Sequence, residues 1–155
     1  MNIHDVLAEL GHQMGLNVTL NEEGVCRLVF DERFPVDIEA SPDNDAVHLY
    51  SVLCPIPPED KERFYERLLE ANLFGGDTGG AWFALDGSHG EVVLNRTVSI
   101  ANIDYQDFAN LLEGFVNCLE SWSDRLAGGE LADESPDAWV ADIAANDAMS
   151  GFIRA

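Results

Sequence analysis

Leu68-Leu69-Glu70-Ala71-Asn72-Leu73-Phe74 runs through Gly75-Gly76-Asp77-Thr78-Gly79-Gly80 into Ala81-Trp82-Phe83-Ala84-Leu85-Asp86. Its apolar residues recur at helical spacing before the glycines and alternate after them, so a helix ends, a glycine hinge follows and a short strand begins. Upstream, Pro55, Pro57 and Pro58 break a strand and start that helix, with Glu59 and Asp60 in its first turn, where the helix dipole favours negative charge. Phe64, Leu68 and Ala71 form one stripe, and Tyr65, Leu69 and Leu73 widen it beyond what a one-sided helix needs. Excess apolar surface of this kind points to a second partner.

On the N-terminal side, Ile3, Val6, Leu7, Leu10 and Met14 have helical spacing, and Gly15 is placed to end the run. Asn21 to Gly24 is a turn. Val25 to Phe30 reads as a strand with Cys26, Leu28 and Phe30 on one face and Val25, Arg27 and Val29 on the other. With both faces largely apolar it is expected to be a central strand, unless one face meets a partner. Pro35 to Ala40 alternates as a half-buried strand with Asp37 and Glu39 on an acidic outer face, and Ala46 to Leu53 gives a third strand. Short connections make the three an antiparallel meander.

On the C-terminal side, the strands Ala81 to Leu85 and Glu91 to Val98 flank the turn Asp86-Gly87-Ser88-His89-Gly90 as a hairpin. Asp104 can cap a last long helix through Phe108, Leu111, Leu112, Phe115, Leu119 and Trp122 to Gly128-Gly129. The elements describe an α+β protein with an antiparallel sheet, in the order α-βββ-α-ββ-α. Residues 1–127 are expected to form one domain and 128–155 an acidic tail, in which Ser135-Pro136 can start a short helix before Trp139, Val140 and Ile143.

The 155 residues carry 8 Lys and Arg against 29 Asp and Glu, a formal charge of -21, which repels phosphate backbones and anionic lipids and argues against nucleic acid or membrane insertion. Such charge keeps a protein soluble even when it exposes apolar patches. Cys26, Cys54 and Cys118 are odd in number and widely spaced, as expected of reduced thiols in a cytoplasmic protein. No secretory signal or membrane-length apolar run is visible in the sequence.

Little points to catalysis, metal or cofactor. His4 and His12 are too far apart on one helix to share an ion, and Asp43-Asn44-Asp45 lacks the glycine and distal glutamate of a calcium loop. The Gly75 to Gly80 loop follows a helix and precedes a strand, the reverse of a phosphate loop, and no Lys follows it. Asp86, Ser88 and His89 name a hydrolytic triad, but crowded into one turn they are not expected to meet in its geometry.

The Leu-Leu-x-Ala-Asn helix end running into Gly-Ala-aromatic-x-Ala-Leu-Asp resembles the class I, CesT-like chaperones of bacterial type III secretion. Leu10-Gly11 with Gly15-Leu16, Gly24-Val25-Cys26-Arg27-Leu28-Val29-Phe30-Asp31, and Phe108 with Leu111-Leu112 and Phe115-Val116 extend the match over about residues 3–125. The resemblance implies a sandwich-like homodimer that is not an enzyme, needs no cofactor, and holds the N-terminal region of a secreted effector extended and export-competent in the bacterial cytoplasm. It puts Phe64, Tyr65, Leu68, Trp82 and Phe83 in the dimer interface, and the contacts expected for the effector are Leu7, Val25, Arg27, Val29, Phe34 and Trp82. Some relatives bind a secretion regulator instead. Two other readings stand beside it: a small acidic ligand-binding domain or enzyme using His48, His89 and nearby carboxylates, and a protein of the same fold with no secretion role.

Overall fold

A computed structural model describes residues 2–43, 45–101 and 103–129. Helix α1 (Ile3–Met14) opens with the Asn2 side chain accepting the Asp5 N–H at 3.0 Å and closes on Gly15, whose φ of 67° suits glycine. Strands β1 (Val25–Phe30), β2 (Phe34–Ala40) and β3 (Ala46–Pro55) form the expected meander. Helix α2 (Lys61–Asn72) and a 3₁₀ turn (Leu73–Gly75) lead to the hairpin of β4 (Trp82–Asp86) and β5 (Glu91–Ser99). Helix α3 (Tyr105–Ala127) completes the α+β order and starts with a reciprocal capping box between Asp104 and Asp107.

All five strands form one antiparallel sheet in the order β1-β2-β3-β5-β4. Cys26, Leu28, Val36, Ile38, Val47, Leu49, Val92 and Leu94 turn their side chains to one face. Against them pack Ile3, Val6, Leu7 and Leu10 of α1 and Phe108, Leu112, Phe115, Leu119 and Trp122 of α3. Each such side chain contributes about 1.5–3 kcal/mol by leaving water. α3 lies over β2 and β3, while α2 sits beside β4. The opposite face of the sheet bears Arg27, Val29, Val52 and Trp82, all exposed.

Several expectations are corrected. β1 is an edge strand, not a central one, and only its Cys26 and Leu28 face is buried. Asp60 stands just outside α2, at the N-cap position, with a left-handed backbone and no side-chain cap hydrogen bond, so Glu62 and not Glu59 or Asp60 supplies the acid of the first turn. The outer face of β2 is not simply acidic: Asp37 is buried and accepts two hydrogen bonds from Arg27, at 2.7 and 2.6 Å. The glycine segment is no free hinge. Arg96 donates to Gly79 O at 2.9 Å and Trp122 Nε1 to Asp77 O at 3.0 Å, which ties the loop to β5 and α3. The helix expected after Ser135 lies outside the described residues.

Candidate polypeptide-binding site

The two edges of the sheet differ. At β4 the Asn72 side chain accepts the Phe83 N–H at 2.7 Å and donates to Phe83 O at 3.2 Å, taking the place of a neighbouring strand. β1 is paired with β2 on one side, and among the described residues no strand pairs with its outer edge. Near its start, Val25 O accepts the Asn21 N–H at 2.9 Å. Farther along, Val29 is 56% exposed although burial of an apolar side chain is favourable. An open strand edge with apolar side chains is a template for another extended chain.

β1 also leads to an apolar groove. Phe30 at its end joins Leu10 and Met14 of α1 and Ala109, Leu112 and Val116 of α3 in a depression of about 250 Å³. A second depression of about 190 Å³ lies between α2 and β4, lined by Tyr65, Leu68, Leu69, Asn72, Phe83, Ala84 and Leu85. Both are smaller than the roughly 300–1,000 Å³ of a typical small-molecule pocket.

The residues expected to touch an effector fall in two groups. Val25, Arg27 and Val29 lie on the outward face of β1, and Trp82, 38% exposed, lies on the same face of the sheet at the far edge. Leu7 and Phe34 are buried in the core of the single chain. Of the residues expected at a dimer interface, Phe64 and Tyr65 are half-buried with ring centroids 6.1 Å apart, Leu68 and Phe83 are buried, and Trp82 is exposed. Met14, Leu69, Leu73, Phe74 and Leu85 also expose large apolar surface. The helical stripe contained Met14, Leu69 and Leu73, but sequence alone does not show which side of a wide stripe the core leaves uncovered.

Asp86, Ser88 and His89 touch one another within their turn, but not in the geometry of a triad. His89 Nδ1 lies 2.7 Å from Asp86 Oδ2 and 3.0 Å from Ser88 Oγ, and Ser88 Oγ lies 2.6 Å from Asp86 Oδ1. The arrangement is still that of a turn: Asp and Ser address the same ring nitrogen, whereas a triad needs one on each. The hydrogen bonds from Ser88 and His89 hold the Asp86 carboxyl well below its ordinary range, and Asp86 pushes the His89 imidazole up. His48 Nδ1 contacts Thr97 Oγ1 at 2.9 Å. Burial raises the thiols of Cys26 and Cys54, and burial followed by Asp77 pushes Cys118 up to about 11, the opposite of an activated nucleophile. Among the described residues no group of three His, Cys, Asp or Glu side chains could hold a metal ion, and no helix is long and apolar enough to cross a membrane.

An open strand edge leading into an apolar groove defines a protein-binding domain. The chain belongs to the Tir chaperone protein (CesT) family, whose model matches residues 5–123, and with it to the chaperones of type III secretion. A protein of Chlamydia pneumoniae is 35% identical over 120 residues, covering 76% of this chain and 90% of that one. Among solved structures, the ExsC-ExsE complex contains a chain of TM-score 0.66 and 22% identity, covering 80% of this chain and 96% of that chain. A chain of the HopA1-SchA chaperone-effector complex gives 0.63 and 13%, covering 77% and 91%. The fold is shared more widely: YbjN of E. coli, described as a putative transcription regulator, gives 0.58 and 13%, covering 80% and 91%.

Proposed function

We propose that this protein is a type III secretion chaperone that binds the N-terminal region of a secreted effector in extended form and keeps it export-competent. The observation that carries this reading is the contrast between the two sheet edges, one occupied by Asn72 and the other open beside exposed Val29 and the α1–α3 groove. The effector strand adds to β1 through main-chain hydrogen bonds, and its alternate side chains meet Val29 or enter the groove at Phe30, Leu10 and Met14. Val25 and Arg27 extend the contact along the strand. No nucleotide or other cofactor enters the cycle, because binding only keeps the segment from collapsing or aggregating.

The working form in this reading is a homodimer joined through α2 and β4, with Phe64, Tyr65, Leu68, Phe83 and the flanking Trp82 at the interface. Exposed Leu69 on α2, Leu73 and Phe74 just beyond the helix and Leu85 on β4 support it.

The test is Val29→Asp, measured by titrating chaperone into fluorescently labelled N-terminal segments of secreted proteins encoded in the same genome. A charge on the apolar strip should weaken binding by roughly tenfold or more, a loss typical of a central interface residue, with far-UV circular dichroism unchanged. Undiminished affinity would remove β1 from the binding site. Capture of a secretion regulator in place of an effector would move the protein to the regulatory branch of the same reading.

A further inference from the structure

Phe74 is held in an unusual way. Its side chain is 98% exposed, and its backbone has a φ of 56°, a region that favours glycine over any bulky residue. Nothing among the described residues gains from an aromatic ring in water on a strained backbone, so the benefit lies beyond them. Phe74 stands two residues beyond Asn72, which lines the α2–β4 groove with Tyr65, Leu69 and Leu85. A projecting ring and a recess on one patch are what a two-fold symmetric pair requires, since each copy must offer both halves of the contact.

The register follows from the helix. In an antiparallel α2 pair with its axis at Leu69, which is 68% exposed, the end of α2 on one copy meets its first turns on the other, and Phe74, two residues past the helix end, would come to the side of Phe64 and Tyr65. Charge favours the same partner. The chain as a whole carries -21, yet α2 holds Lys61, Arg63 and Arg67 against Glu62, Glu66 and Glu70, a balance of zero. Two copies therefore add little charge repulsion where their α2 helices meet. Area is adequate as well: an aromatic side chain buries about 150–250 Å², roughly a quarter of the ~800 Å² per partner of a standard interface, and Leu69, Leu73 and Leu85 extend it.

We propose that Phe74 is the knob of self-pairing, its ring seated on Phe64 and Tyr65 at the mouth of the α2–β4 groove of a second copy. This inference rests on the reading of the protein as a homodimer and names the residue that makes the pairing specific. Phe74→Gly is the informative variant, because glycine accepts the left-handed backbone and the fold has no cause to suffer.

Sedimentation equilibrium should show the wild type as a dimer, and Phe74→Gly with a dimer dissociation constant raised about 30-fold or more, the loss of one aromatic anchor. Its urea transition should remain cooperative. Mixing Tyr65→Cys protein with Phe74→Cys protein under mild oxidation should yield a disulfide-linked pair joined at those two positions. A Phe74→Gly protein that dimerises as tightly as wild type would overturn the knob and leave the homodimer standing. The same holds for a variant that keeps its dimer but loses effector capture, which would assign Phe74 to the client. A wild-type protein that is monomeric at every concentration would overturn the homodimer and the knob together.

Discussion

At the scale of single residues, Asn72 does the most with the least. One amide satisfies both polar groups of Phe83 on the β4 edge and so holds α2 against the strand. Asn72→Ala would strand an N–H and a C=O at a partly buried site and should cost about 1–3 kcal/mol in urea denaturation. Sequence placed this asparagine at the end of a helix, but its partner is 11 residues on and across a loop, beyond what local spacing reveals. Arg27 and Asp37 were hidden in the same way. Each looked like an outward charge on its own strand, and only the β1–β2 register brings them together. Tyr50 gives this scale a pH signature. Burial first, and then Asp37 and Glu39, push its hydroxyl up to about 12 from an ordinary 10.0, so the folded state favours the protonated form. That contribution is intact below pH 10 and disappears as the pH rises through 12. Cys118, raised to about 11 from 9.0, loses its own share earlier. Tyr50→Phe should therefore leave the decline in melting temperature from pH 9 to 10, where Cys118 acts alone of the two, and flatten the part from pH 10 to 12.

At the scale of elements, the loop between α2 and β4 is a joint fixed by α3. Trp122 donates its indole N–H to Asp77 O, packs edge-on to Phe83 with centroids 4.7 Å apart, and carries the Arg125 guanidinium over its ring at 4.1 Å. The glycines are needed for the close path. Gly75 has a φ of 64°, and a Cβ there would lie 3.0 Å from the Gly80 backbone. Gly75→Ala should destabilise by about 1–3 kcal/mol from backbone strain, with repulsion at Gly80 added, and a melting curve would show it. The existence and order of the three α-helices and five strands among the described residues were legible because their periods change cleanly from helical to alternating. The place of β1 at the edge was not, because lateral order in a sheet depends on how β3, β5 and β4 pair after a long crossover through α2. A two-sided apolar strand looks the same whether the sheet or a partner covers its second face.

At the scale of the whole molecule, strong acidity and open apolar surface belong together. A charge of -21 limits association at exposed sites such as Val29, Phe74 and Trp82, and it also strains the folded state by self-repulsion. Salt shortens the reach of that repulsion from about 30 Å at 0.01 M to about 8 Å at 0.15 M. Thermal stability should consequently rise over that range, by several degrees if relief amounts to about 1 kcal/mol. A fall with salt would mean that ion pairs such as Arg27–Asp37 outweigh the repulsion. The family was legible from the segment around Asn72 and from residues 24–31, while the binding surface was legible only in outline. Leu7 and Phe34 have the apolar character expected of contacts, yet the structure buries both, since apolar character alone does not distinguish a core position from a docking one.

The central claim is that an extended segment of a secreted protein lies along β1. A photoreactive phenylalanine analogue placed at position 29, irradiated in secretion-competent cells and followed by mass spectrometry, reads that contact directly. The account predicts a covalent adduct to the N-terminal region of a secreted polypeptide, lost when the same analogue is placed at Thr97 on β5. Adducts confined to other copies of this chain, or none to any secreted polypeptide while secretion is active, would contradict it.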